Sequence, residues 1–314
     1  MDLRQLAALT AVGDHRSFSA AARSLHTVQS NVSAHVAKLE DELGVILVDR
    51  SDGSFTEAGE LVAARARRIE AELDALGSDL ASSEQSITGP VRLGMIGTTA
   101  RWLIPLLLPA IAQQHPGIQL TIIDATTTSL IPQLLTRRLD VAVINLPVHS
   151  QDVSAEPLFE EHHVLIAPLD HPLSHLDEVG LTELSRHPLL LPPPGTSFRD
   201  ELDLAIARFG VRLESAAEVD GVRLLATLAF EGFGAAIVPA SAASRRSGSG
   251  WKRIGITGLA PRGVGLATER RALLSNAARA VRASVLEICR EHAASYVEIT
   301  PVAGPVERST HHGK

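Results

Sequence analysis

Gln29 and Asn31 each carry an amide that can pair bidentately with an adenine edge, and Ser30, Ser33 and His35 add shorter-range donors or acceptors beside them. Lys38 and Arg50 are of the type that meets phosphates. The plain alternatives are a solvated helix surface for Asn31 and unpartnered surface charge for the two cations. A second group of side chains could hold a small anion. Thr98-Thr99, Thr126-Thr127-Thr128-Ser129 and Thr196-Ser197 each follow an apolar run and open a helical one. Helix amino ends expose unpaired N–H groups that favour anions, and hydroxyls extend that donor set. Ordinary N-capping accounts for part of each cluster. Phe198 could supply an apolar wall, and Asp220-Gly221 opens another helix. Arg101 and Arg199 could counter a carboxylate, with pairing of Arg199 to Asp200 or Glu201 as the simpler reading.

The elements that must carry the amides are a short helix, a tight turn and a longer helix. Ala20, Ala21 and Ala22 let the first lie close to a neighbour. Leu25, Val32, Val36, Leu39 and Leu43 put an apolar stripe on the second, leaving Gln29, Ser30, Ser33, Ala34, His35 and Lys38 on the opposite face. That layout predicts a helix-turn-helix whose second helix is free to enter a major groove. A preceding helix ends near Gly13, Gly44 is a C-cap candidate, and Val45–Val48 with Phe55-Thr56 predicts a small wing. Val62, Ala66, Ile69, Leu73, Leu76 and Leu80 then alternate at spacings of four and three, a seven-residue repeat. So narrow a stripe implies a partner helix, with packing on its own domain as the alternative. Ser82–Pro90 reads as a hinge.

Strand–helix alternation follows in two runs, which predicts two α/β lobes with mainly parallel sheets and a ligand cleft between them. The division expected is 1–58 for a DNA-binding domain, 59–88 for a dimerisation helix and hinge, and 89–296 for an effector domain. Within the last, one lobe takes 89–163 and 266–296, the other 164–265. Residues 297–314 read as a frayed tail.

Composition narrows the function. One cysteine in 314 residues rules out an internal disulfide and fits a reducing, cytoplasmic setting. No stretch approaches the roughly 18 apolar residues of a membrane span. Glu160-Glu-His-His163 alternates across a strand, so its histidines face opposite sides and a metal site is not expected. Cys289 lies among apolar positions and reads as a packed thiol. No Gly-x-Ser-x-Gly elbow or acid–base constellation appears, so neither catalysis nor a cofactor is expected. The net charge of −7 weighs against nucleic acid. Residues 1–58 share it, with five Lys/Arg against eight Asp/Glu. Glu40, Asp41 and Glu42, however, sit at the far end of the groove-facing helix.

The whole chain resembles the LysR-type transcriptional regulators. The resemblance rests on Leu3-Arg-Gln-Leu6, Ser17-Phe-Ser-Ala-Ala-Ala22, Leu25, Gln29-Ser30, Ser33, Leu39-Glu40, Leu43-Gly44 and Thr56-Glu-Ala-Gly59 in concert. It continues less sharply through Val91-Arg-Leu-Gly94, Leu139-Asp-Val-Ala142, His171-Pro-Leu173 and Gly232–Pro239. It implies a winged helix-turn-helix, a linker-helix dimer and a two-lobed α/β effector domain like type 2 periplasmic binding proteins. It also implies a homodimer or homotetramer on double-stranded DNA, with RNA polymerase as a further partner. The candidate DNA set is then Phe18, Ser19, Arg23, Thr27, Gln29, Ser30, Asn31, Ser33, Ala34, His35, Lys38 and Arg50. The effector set is Thr98, Thr99, Thr126, Thr127, Thr128, Thr196, Phe198 and Gly221. The dimer set is Val62, Ile69, Leu73, Leu76 and Leu80. Val28 stands where the family usually has a hydroxyl residue, so Thr27 is expected to cap the helix. Asn31 and Ala34 also depart from the usual alanine and arginine. The runner-up is a cytoplasmic solute-binding module acting through protein contacts.

Overall fold

The computed structural model describes residues 1–81, 87–243, 250–295 and 299–302. Three helices, α1 (Leu3–His15), α2 (Phe18–Ser24) and α3 (Gln29–Leu43), precede a 25-residue helix, α4 (Glu57–Ala81). The starts of α1 and α2 have local causes. The Asp2 carboxylate accepts from the Gln5 N–H at 3.0 Å while the Gln5 side chain accepts from the Asp2 N–H, a capping box. Ser17 caps α2 through the Ala20 N–H. Gly44 ends α3 at φ 69°, the left-handed conformation a C-cap needs. Gly59 permits the close approach of α4, because a Cβ there would lie 1.9 Å from the Leu47 carbonyl oxygen.

The winged core joins Leu6, Leu9 and Val12 of α1 with Val32, Val36 and Leu39 of α3, and with Leu47 and Val48. Leu25 and Leu43, expected in the stripe, are 38% and 39% exposed, since Leu25 is the C-cap of α2 and Leu43 ends α3. The wing is smaller than expected: a single bridge, Val48 to Phe55, replaces a strand pair. Ala63 and Ala66 of α4 enter this same core, and Val62 packs against it. Val62 therefore faces the winged domain rather than a dimer seam. The open face of α4 carries Leu61, Ile69, Leu73, Leu76 and Leu80, all at least 40% exposed.

The rest forms two lobes, each on a six-stranded sheet. Lobe I opens with β1 (Thr88–Met95), α5 (Gly97–Gln114), β2 (Gly117–Asp124), α6 (Thr127–Leu135), β3 (Val141–Leu146) and β4 (Val153–Glu161). The chain then crosses into lobe II through β5 (His163–Pro168), β6 (Glu178–Gly180), α7 (Leu181–Leu184), β7 (Leu189–Leu191), α8 (Ser197–Ala207), β8 (Ser215–Glu218), α9 (Val222–Phe230), β9 (Ala236–Pro239) and β10 (Trp251–Thr257). It returns to lobe I as β11 (Arg262–Glu269), α10 (Asn276–His292) and β12 (Ile299–Pro301). The strand orders are β12-β4-β11-β3-β1-β2 and β6-β10-β5-β9-β7-β8.

The sheets are mixed, not mainly parallel. β11 returns antiparallel between β3 and β4 in lobe I, and β5 lies antiparallel to β9 and β10 in lobe II. The return also falls earlier than expected. Residues 262–265 pair within lobe I, and 299–301 add an edge strand where a frayed tail was expected. Of the expected hinge, 82–86 lie outside the described residues, as do 296–298 and 303–314 of the carboxy-terminal segment. Gly89 and Pro90 belong to β1, opposite Ile118 and Gln119. Among the described residues only β2 pairs with that end of β1, so Pro90 has no strand on its other side there. Among the described residues, no helix is long and apolar enough to cross a membrane.

Candidate functional site

The amino end of α3 presents Gln29, Ser30 and Asn31 to solvent, with Ala34 and Lys38 exposed and Ser33 and His35 half-buried. Two of the amides are held by neighbours. Ser19 donates to the Gln29 carbonyl at 2.9 Å, and the Asn31 amide donates to the Thr27 hydroxyl at 3.0 Å. Thr27 thus orients Asn31 and does not cap the helix. The N-cap is Val28, which has no side-chain hydrogen bond, so the first backbone N–H groups of α3 are left for an outside acceptor. Arg23 is exposed beside this surface.

Arg50, though its side chain is 49% exposed, is already paired. It donates to Glu40 at 2.8 Å and lies 5.2 Å from the centre of the half-buried Phe18 ring. Burial alone would raise the Glu40 carboxyl. The Leu47 N–H, Arg50 and the Val48 N–H outweigh it and hold the group below the usual carboxylate range. Arg50 and Phe18 therefore brace the wing against α3.

At the interlobe cleft the structure builds a hub that the sequence does not announce. Glu161 ends β4 and Arg262 begins β11, at the two points where the chain changes lobe. Both are buried, and Arg262 donates to one Glu161 oxygen through Nε (2.8 Å) and Nη2 (2.5 Å). The other Glu161 oxygen accepts from the Ser241 N–H of lobe II at 2.8 Å. Arg262 Nη2 also donates to Thr98 at 2.7 Å. His163 is buried beside this pair. Burial and the Arg262 charge push its imidazole down to about 4, so it is neutral at pH 7. Its ring stacks on Phe198 at 5.6 Å. Glu201 of α8, raised by burial, lines with His163 and Arg262 a cavity of about 540 Å³ whose other walls include Leu146, Phe159 and Leu202.

The hydroxyl clusters divide. Thr98 is taken by Arg262. Thr99 is fully buried and its hydroxyl has no hydrogen-bond partner among the described residues, as is true of the buried Asn145 side-chain carbonyl. Thr127 accepts from the Asn145 N–H at 3.0 Å, while Thr126, Thr128 and Ser129 bond to one another. Thr196 donates to the Pro193 carbonyl. Gly221, at φ 100°, precedes α9, where Arg223 reaches Asp124 of lobe I at 2.7 Å and ties the lobes across the cleft. The free arginines of the sequence reading are not free. Arg101 donates to the Ala242 carbonyl, and Arg199 pairs with Asp203, one helical turn on, rather than with Asp200 or Glu201. The Glu160–His163 alternation holds, with Glu161 and His163 buried and Glu160 and His162 exposed. Glu161 could have been flagged from that alternation alone, since it places a carboxylate on the buried face; its partner could not.

Residues 84–290 match the family model described as the LysR substrate binding domain. Residues 3–60 match that of the bacterial regulatory helix-turn-helix proteins of the lysR family. The chain is 30% identical over 247 residues to a hydrogen peroxide-inducible genes activator of Pectobacterium carotovorum subsp. carotovorum, covering 78% of this chain and 82% of that one. A full-length OxyR from Pseudomonas aeruginosa bearing a cysteine-to-aspartate substitution has a TM-score of 0.73 at 26% identity, over 92% of this chain and 95% of the other. Full-length CbnR in complex with its target DNA shares the fold, with a TM-score of 0.65 at 24% identity over 93% and 100% of the two chains. With an exposed amide-bearing helix at one end, two lobes closed around a polar hub at the other, and both halves matched, the chain belongs to the LysR family of DNA-binding transcriptional regulators, with an effector-binding domain.

Proposed function

We propose that this regulator reads its operator in the major groove with Gln29, Ser30, Asn31, Ser33 and His35, with Lys38 and Arg23 on phosphates. The observation that supports this is the exposed amino end of α3, where Ser19 and Thr27 pre-orient two amides and no side chain occupies the cap. Gln29→Ala should cost about 1–3 kcal/mol at one base pair and little elsewhere. Mobility shifts on DNA from the gene's own upstream region, with single-base variants, measure it. Equal loss on every sequence would reduce Gln29 to a backbone contact.

The effector in this reading is a small molecule with an anionic or strongly hydrogen-bond-accepting group, held near Thr99 and the start of α6. The unpartnered Thr99 hydroxyl supports it, because a buried donor without a partner is a cost that a bound acceptor relieves. Thr99→Val should then leave the unliganded protein as stable as before, while abolishing the stabilisation given by the best ligand in a thermal-shift screen of small carboxylates. A ligand effect unchanged by Thr99→Val would move the site elsewhere.

With one cysteine in this sequence, a disulfide switch within the chain is not part of this reading. Burial pushes the Cys289 thiol up to about 12, far from the reactive thiolate. The protein acts by binding and not by turnover, as a homodimer or homotetramer in the cytoplasm, with RNA polymerase as partner. A shift of the lobes on ligand binding would alter the assembly's geometry only by the ligand's affinity difference between the two arrangements.

A further inference from the structure

Two adjacent arginines of α4 and two adjacent arginines after α6 share two carboxylates, one from each end of the molecule. Asp14, at the end of α1 in the winged domain, accepts from Arg67 of α4 at 2.8 Å and from Arg138 of lobe I at 2.5 Å. Glu269, at the end of β11 in lobe I, meets Arg137 at 2.9 Å and Arg68 of α4 at 3.5 Å. The Asp14 and Arg138 side chains are themselves 45% and 42% exposed, but they stand beside buried members of the same cluster. The Glu269, Arg67 and Arg137 side chains are no more than 10% exposed. A carboxylate in the last turn of a helix opposes the helix dipole, so Asp14 is unfavourable where it stands unless cations from outside α1 compensate it. Arg137 adopts φ 58°, a left-handed conformation costly for a side-chain-bearing residue, and this turn sends the two neighbouring guanidinium groups to carboxylates of different domains.

The same short helix reaches the cleft at its other end. α6 has nine residues, with Leu130 and Leu134 fully buried along its length. Its first residue, Thr127, is bonded to the Asn145 N–H at the cleft end of β3. A packed helix of this length moves as a rigid unit, so a displacement at one end is felt at the other.

We infer that the turn after α6 is a joint between the winged domain and the effector lobe, with Arg138–Asp14 as the link that carries the position of α6 to the DNA-reading end. The inference rests on the DNA-binding reading for its purpose but not for its test. Hydrogen exchange on the full chain is measured for Arg138→Gln and Asp14→Asn, with no DNA present. Arg138→Gln should speed exchange at the carboxy end of α1, in the other domain, and Asp14→Asn should speed it at residues 136–140. The double variant should do little more than Asp14→Asn alone, because that substitution already removes the Arg138 contact together with the Arg67 one. Adding upstream DNA to the unsubstituted protein should change exchange across α6, and that change should vanish in Arg138→Gln even at DNA saturation. Arg186→Gln, which breaks an exposed pair in lobe II, should leave all of this unaltered. Effects confined to each variant's own domain, or additive in the double variant, would overturn the joint. If the cross-domain effects appear and the DNA is not bound, the joint stands and the choice of operator is wrong.

Discussion

Arg262→Ala is expected to destabilise the effector domain by about 3–5 kcal/mol, read from urea unfolding followed by circular dichroism. The size follows from what is left behind. Glu161 is fully buried, and without the guanidinium its charge keeps, among the described residues, the Ser241 N–H as partner. Thr98 loses its donor in the same step. Removing one member of a buried pair costs far more than the pair itself contributes, because the surviving charge was desolvated on the assumption of a counter-charge. Replacing Glu161 and Arg262 together by apolar residues of similar volume should therefore cost less than Arg262→Ala alone. A loss under about 1 kcal/mol for the single variant would mean that water reaches Glu161 and that the lobes are not held by this hub.

Leu73→Glu with Leu76→Glu is expected to reduce the native mass, measured by light scattering, to that of a single chain. Both side chains lie on the open face of α4, 45% and 57% exposed, between Ile69 and Leu80. Glutamates at paired apolar positions would bury charge with nothing to neutralise it. The opposite face of α4 is already occupied, by Ala63 and Ala66 in the winged core, so the separated chain should stay folded. Retention of the native mass would show that α4 is not the contact between copies.

Local order carried much of this protein in plain view. The stripe of Val32, Val36 and Leu39 against the polar run from Gln29 predicts a helix with one buried and one open face, because side-chain direction along a helix depends only on spacing. The two runs of strand and helix gave two lobes for the same reason. Local preference yields where it competes with pairing. Pro90 reads as a break, yet β1 tolerates it where, among the described residues, only β2 lies alongside. Val45 and Ile46 read as a strand, but the hairpin closes on a single bridge. Val62 fits the seven-residue repeat, and α1 covers that end of the helix first.

Short-range spacing by itself therefore determined the helix with an exposed polar face, the amphipathic linker and the two-lobed effector domain. Tertiary structure decided which charges meet. Glu161 and Arg262 stand 101 residues apart, Asp14 and Arg138 124, and Arg68 and Glu269 201. Each arginine has many acids it could pair with in the unfolded chain, and nothing in its immediate neighbours ranks them. The choice is made when the fold brings the partners together. For Glu161 and Arg262, where the strands cross between lobes, burial also removes water as the alternative partner, while Asp14 and Arg138 meet at the surface.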